Sequence, residues 1–245
     1  MNAVRMDLSL AGWLSPGVQQ SGHRVATEYP AELACPAPMT SRQPGRPSCH
    51  EHGGSGVRGP AAGRPGGPVG DDELGRPTPC PAYTVGDLID HVGGLALAFT
   101  AAANKDFGTY GDVAPTGDAA RLVDDWRTRI PHDLARLAEA WQEPDAWPGM
   151  TRVGGGDAPA EMAGLSLADE LVVRGWDVAR ATGQPYRAEP EVLGAAQAFL
   201  SQFASPDAPA GPDVPFGPAR ELPGDAPPLD RVVALAGRDP AWAPS

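Results

Sequence analysis

The chain has 245 residues, of which 31 are Gly and 29 Pro, and a net charge of −12. Gly and Pro at about a quarter of the residues approach the level at which part of a chain stays unstructured. The negative charge excludes a general phosphate-binding surface and docking on an anionic membrane, because both are built from Lys and Arg. We therefore expect neither a nucleic-acid nor a membrane partner.

Residues 1–70 hold 12 Gly and 9 Pro, with six Arg against four acids. The stretch from Pro36 to Gly70 has almost no large apolar side chain, too little to offset chain entropy, and reads as a disordered arm. Within it, Cys49-His50-Glu51-His52 presents four donors in a row. These cannot all converge on one tetrahedral ion, so the run is read as chance. The N-terminus lacks a compact apolar core followed by a small-residue cleavage site, which argues against a secretory signal. Cys35, Cys49 and Cys80 are scattered and odd in number, which fits a reducing, cytoplasmic setting. No apolar stretch approaches the roughly 20 residues of a membrane span.

From Asp71 the pattern becomes regular, and 71–245 is expected to be the folded domain. Thr84 followed by Asp87 starts a helix by capping-box logic. Val85, Leu88, Ile89, Val92, Ala96 and Phe99 recur at helical spacing as far as about Asn104. A loop covers Gly108–Gly117. A second helical segment is expected from Asp118, with Leu122, Trp126 and Ile130 on one stripe, a kink or restart at Pro131, then Leu134, Leu137 and Trp141. Trp147–Ala160 reads as a long loop with room for a short hairpin. Ser166 and Asp169 repeat the capping pattern for a third helix to Thr182, stopped by Gly183. A fourth helix spans Pro190–Phe203, and Leu229–Ala236 is a short helix in a Pro-rich tail. Helices joined by loops give an all-α bundle.

The donor residues fall on two of these helices. His91 sits at the edge of the first apolar stripe, where a histidine is more often structural than a ligand. Glu170 and Arg174 are i and i+4 on the third helix, in the favourable acid-first order for a helix ion pair. A carboxylate and a neutral donor one turn apart would serve a metal site between facing helices, but a guanidinium offers no lone pair. Trp176-Asp177 reads as a surface pair or packing anchor. Arg180 reads as a partner for last-turn carbonyls or Asp177, and Gly154-Gly155-Gly156 as a flexible turn. Ser166 reads as an N-cap and His132 as an exposed first-turn residue.

Three stretches carry a resemblance. They are Arg76-Pro77-Thr78-Pro79-Cys80-Pro81-Ala82-Tyr83-Thr84-Val85 with Asp87-Leu88 and His91-Val92; Glu170-Leu171-Val172-Val173-Arg174-Gly175-Trp176-Asp177-Val178 through Gly183; and Pro227–Arg231 with Gly237–Trp242. In wording and order they resemble the mycothiol-dependent maleylpyruvate isomerase-like family of actinobacterial type, within the DinB-like superfamily, from about Asp71 to Trp242. The resemblance implies a DinB-like four-helix bundle that holds a divalent metal, usually zinc, with His91 and Glu170 as ligands and a third ligand position at Arg174. It implies a metal that activates a small-molecule thiol such as mycothiol against an electrophilic substrate, as a thiol-dependent isomerase or S-transferase. Binding to a cation lowers a thiol's pKa and creates the thiolate nucleophile.

Two departures stand out. Arg174 replaces a neutral ligand with a cation, which weakens any metal site. The Gly/Pro-rich arm stands where the family places its first helix, and a bundle lacking that helix would cover its open face by self-association into a homo-oligomer. Set beside the weakened metal site is a metal-free helical module held by a Glu170–Arg174 ion pair.

Overall fold

Thr84 opens the first long helix, α1 (Val85–Ala103), with the expected reciprocal cap. Its hydroxyl accepts from the Asp87 amide at 3.3 Å, and Asp87 accepts from the Thr84 amide at 2.9 Å. Leu88, Ile89, Val92, Ala96 and Phe99 are buried, but so are Leu95, Ala98 and the terminal alanines. Burial on several faces reflects neighbours on more than one side: α1 packs against α2 (Trp126–Gln142) and α3 (Ala160–Thr182). By length and composition α1 does reach the dimension of a membrane span, contrary to the sequence expectation. Most of its apolar window, 72%, is buried inside the protein.

The computed structural model describes residues 68–108, 110–208 and 216–244. The expected arm, its Cys49-His50-Glu51-His52 run and the place of the family's first helix lie outside the described residues, except for Pro68, Val69 and Gly70. Of these, Val69 is buried in the core beside the helices. The described residues belong to one compact unit.

The second helix differs from expectation. Asp118 caps a short 3-10 turn, Ala119–Arg121, by accepting from the Ala120 amide, and Leu122 then turns extended. The helix proper starts only at Trp126. Pro131 neither ends nor restarts it and is carried within its second turn. Ile130, Leu134, Leu137 and Trp141 form the buried stripe, and the Trp141 indole donates to the Phe99 carbonyl at 3.0 Å.

The all-α expectation is amended by one hairpin. Strands β1 (Met150–Val153) and β2 (Gly156–Pro159) pair antiparallel, Met150 opposite Pro159 and Val153 opposite Gly156. Gly154 and Gly155 both have positive φ, +64° and +83°, as a two-residue hairpin turn requires. Thr151 Oγ1 donates to the Ala102 carbonyl at 2.6 Å, which fixes the hairpin to the end of α1.

α3 begins six residues before the expected start. Ala160-Glu161-Met162-Ala163 are good helix formers that continue straight out of the hairpin, and Pro159 precedes them. Ser166 is therefore interior and caps nothing, and Asp169 is fully buried. Gly183 ends the helix in the left-handed conformation as expected, with φ +68°. Both remaining helices place proline at the first position: α4 (Pro190–Leu200), three residues shorter than expected, and α5 (Pro228–Leu235). α4 packs along α3, and α5 packs on both. Among the described residues the protein is thus mostly helical, with five helices and one hairpin around a core of Leu88, Ile130, Leu134, Leu137, Trp141 and Leu167.

Candidate functional site

α1 and α3 bring the sequence-predicted residues together. His91 is buried, and its Nε2 lies 3.5 Å from Glu170 Oε2. Both ring nitrogens are sealed from solvent; Nδ1 has no hydrogen-bond partner, and Nε2 has only this long contact with Glu170. Tyr83, just before α1, lays its ring 5.6 Å from the imidazole. Gly117 holds the following loop close to this point, since a Cβ there would collide with the Asp87 carbonyl and approach the His91 side chain.

Glu170 is claimed from its own helix. Arg174 Nε donates to Glu170 Oε2 at 2.9 Å, and Arg174 is itself buried. Burial alone would raise the Glu170 carboxyl, but the Arg174 charge and the His91 contact outweigh it and hold it at about 2. The guanidinium is a fixed cation, its own pKa pushed further upward by Glu170 and Asp177 against the effect of burial. A surface i, i+4 pair is worth about 0.3–0.5 kcal/mol. Here Arg174 is buried and Glu170 half-buried, so losing one partner should cost more than at the surface but less than the roughly 3–5 kcal/mol of a fully buried pair.

Two further members of the site were not legible from local spacing. Asp177, read as a surface residue or anchor, is fully buried and receives Arg238. Arg238 Nε lies 3.2 Å from Oδ1 and Nη2 3.1 Å from Oδ2, while Nη1 donates to the Ala236 carbonyl. Arg174 Nη1 stands 3.8 Å from the same Asp177. His91, Glu170, Arg174, Asp177 and Arg238 therefore form one line of alternating partners from α1 through α3 into the C-terminal segment. Cys80 is the second: buried and free, its Sγ lies 3.8 Å from Arg174 Nη1. Arg180 pairs neither with Asp177 nor with last-turn carbonyls, and donates instead to the carbonyls of Pro240 and Trp242. His132 is exposed, as expected, but in the second turn of α2.

Part of this cluster lines a cavity of about 750 Å³. Its wall includes Cys80, Tyr83, His91, Glu170 and Arg174 from the helical part, and Arg220, Arg238 and Trp242 from the C-terminal segment. The volume falls in the range of small-molecule sites.

Residues 63–179 match the family model described as the mycothiol maleylpyruvate isomerase N-terminal domain. Two uncharacterized proteins of Mycobacterium tuberculosis, from strains CDC 1551 and H37Rv, are each 32% identical over 174 residues. That alignment covers 68% of this chain and 86% of each relative. The chain belongs to this family. No solved structure matches it significantly.

The family's metal does not fit the residues present. A divalent ion needs lone pairs, and the third ligand position is filled by a guanidinium already bonded to the carboxylate that would be the second ligand. Among the described residues no group of three His, Cys, Asp or Glu side chains is placed to hold an ion.

Proposed function

We propose that this member of the family is a metal-independent small-molecule binding module, in which Arg174 stands at the position where the family resemblance implies the third ligand of a divalent ion. The observation that carries the reading is the 2.9 Å bond from Arg174 Nε to Glu170. It places a permanent positive charge at that point and occupies the carboxylate that a metal would need. Two ligands beside a cation would bind a divalent ion far more weakly than three neutral or anionic donors.

The frame we assign is the DinB-like four-helix arrangement, and the setting is cytoplasmic. The ligand class is a small thiol of the mycothiol kind or an electrophile that reacts with one. Both would find a fixed cation and an aromatic wall in the cavity. Isomerisation or S-transfer on a metal-bound thiol is not assigned to this chain.

Metal analysis of the purified protein and of Arg174→His tests the reading. The parent should carry almost no zinc after reconstitution, and the variant should approach one equivalent. Zinc retained by the parent would overturn the metal-free reading. A variant that stays empty would show that His91 and Glu170 are not vestigial ligands.

A further inference from the structure

Arg174 is only 6% exposed, yet its guanidinium is incompletely bonded. Nε donates to Glu170 at 2.9 Å, and Nη1 reaches the Cys80 sulfur and Asp177, each at 3.8 Å. Nη2 makes no hydrogen bond among the described residues, and unlike the His91 nitrogens it is not sealed from solvent. Arg174 lines the cavity, so this open donor is presented there. A second cation, Arg220, stands on the C-terminal wall of the same cavity. It holds Asp239 at 3.5 Å, with both side chains about half exposed. A pair so long and so wet is weak, which leaves Arg220 able to exchange Asp239 for a guest anion. Tyr83, Pro115 and Trp242 add apolar and aromatic surface to the wall.

We propose that the cavity binds the carboxylate of a small organic monoacid on Arg174, with Arg220 as the second cation and the apolar body of the acid against the aromatic wall. The inference rests on the metal-free reading of the same pocket, since an ion on Glu170 would take that carboxylate from the guanidinium. The chemistry of the donor sets the ligand class. A guanidinium matches the planar fork of a carboxylate, and a hydrogen bond between charged partners is about twice as strong as a neutral one. A cationic donor left unmet in a buried position is costly, and a guest carboxylate oxygen meets it. Charge sets the number of anionic groups. Glu170 and Asp239 line the same cavity and already pair with Arg174 and Arg220, so a second negative charge on the guest would find repulsion and no spare cation. A monoanion fits this balance and a compact dianion does not.

Calorimetric titration of the full chain, in EDTA, with benzoate, benzamide and inorganic sulfate tests this. Benzoate should bind about tenfold more tightly than benzamide, its uncharged counterpart of the same shape, and sulfate more weakly than benzoate. Arg174→Gln should remove about that factor for benzoate and leave benzamide unchanged. Arg220→Gln, at an exposed position that does not threaten the core, should weaken benzoate about threefold. Arg121→Gln, exposed beside a different cavity, should change neither. Benzamide held by the parent as tightly as benzoate, or no binding of either, overturns the proposal whether or not the Arg174 variant folds. Sulfate held as tightly as benzoate overturns the monoacid assignment. The two readings fail separately. Zinc in the parent sinks the metal-free pocket, whereas a zinc-free parent with no preference for benzoate sinks the carboxylate site alone.

Discussion

The two halves of α3 bury their surfaces by opposite means. From Ala160 to Ala168 the helix presents Ala163, Gly164 and Leu167 to the core, with Trp141 and Trp147 against the glycine. From Asp169 to Arg180 it carries five charged residues, of which Asp169, Arg174 and Asp177 are buried. The first half gains from apolar burial at roughly 25 cal/mol per Å². The second half desolvates charges, and the mutual attraction of such groups often no more than offsets that penalty. A buried ionic line is therefore weak evidence for stability and better evidence for a site. It coincides with the cavity, and the apolar half does not.

Breaking the ionic half should give the largest effect. Arg238→Ala leaves Asp177, fully buried, without its two-pronged partner. We expect a loss of about 3–5 kcal/mol in urea unfolding, with release of the C-terminal segment from the cavity wall. A loss under about 1 kcal/mol would mean that water reaches Asp177 and that the contrast between the halves is overstated.

The apolar half has a tighter steric limit. A Cβ on Gly164 would meet the Trp147 ring at 2.6 Å and the Trp141 ring at 2.9 Å. Those rings cannot retreat freely, because Trp141 donates to Phe99 and Trp147 donates to the Trp141 carbonyl. Gly164→Ala should cost about 1–3 kcal/mol by overpacking, read as a lower Tm with the zinc content of the parent unchanged. An unchanged Tm would mean that the rings move aside and that the apolar half is packed more loosely than its geometry implies.

The sequence made some of this legible and hid the rest for identifiable reasons. Local signals held: the Thr84–Asp87 box, the Gly183 stop and the helix-spaced core of α1 are properties of a few neighbouring residues. The Ser166–Asp169 start failed because a capping pattern is also compatible with a helix interior when good helix formers precede it. The His91, Glu170 and Arg174 cluster was found through family wording, since spacing alone gave an ordinary helix pair. Arg238 could not be paired with Asp177, because 61 residues separate them and no periodicity links the tail to α3. Cys80 was visible within the Pro-Cys-Pro run, but its contact with Arg174, 94 residues away, was not.

The smallest expected effect is the most discriminating, because it vanishes at low pH and grows as pH rises. Asp169 is fully buried, and neither of its carboxylate oxygens has a hydrogen-bond partner. Burial, and then the negative charge of Glu170, push its carboxyl well above the ordinary 3.8, with Arg174 and Arg238 opposing. Above that ordinary value the unfolded chain releases the proton while the folded chain retains it. Stability contributed by this group is therefore complete below about pH 4 and declines as pH rises through the folded value. Glu170 acts in the other sense: its folded pKa of about 2 lies below the ordinary 4.5, so its contribution is present above that value and is lost as pH falls toward 2. The two slopes overlap in the parent and blur each other. Asp169→Asn keeps the shape of the side chain and removes only the rising penalty, while Glu170 titrates in both proteins. The variant should match the parent near pH 3.5 and exceed it at pH 7 in urea unfolding. An equal difference at both pH values would mean that Asp169 is ionised and solvated in the folded chain, and that the ionic half of α3 is wetter than its geometry implies.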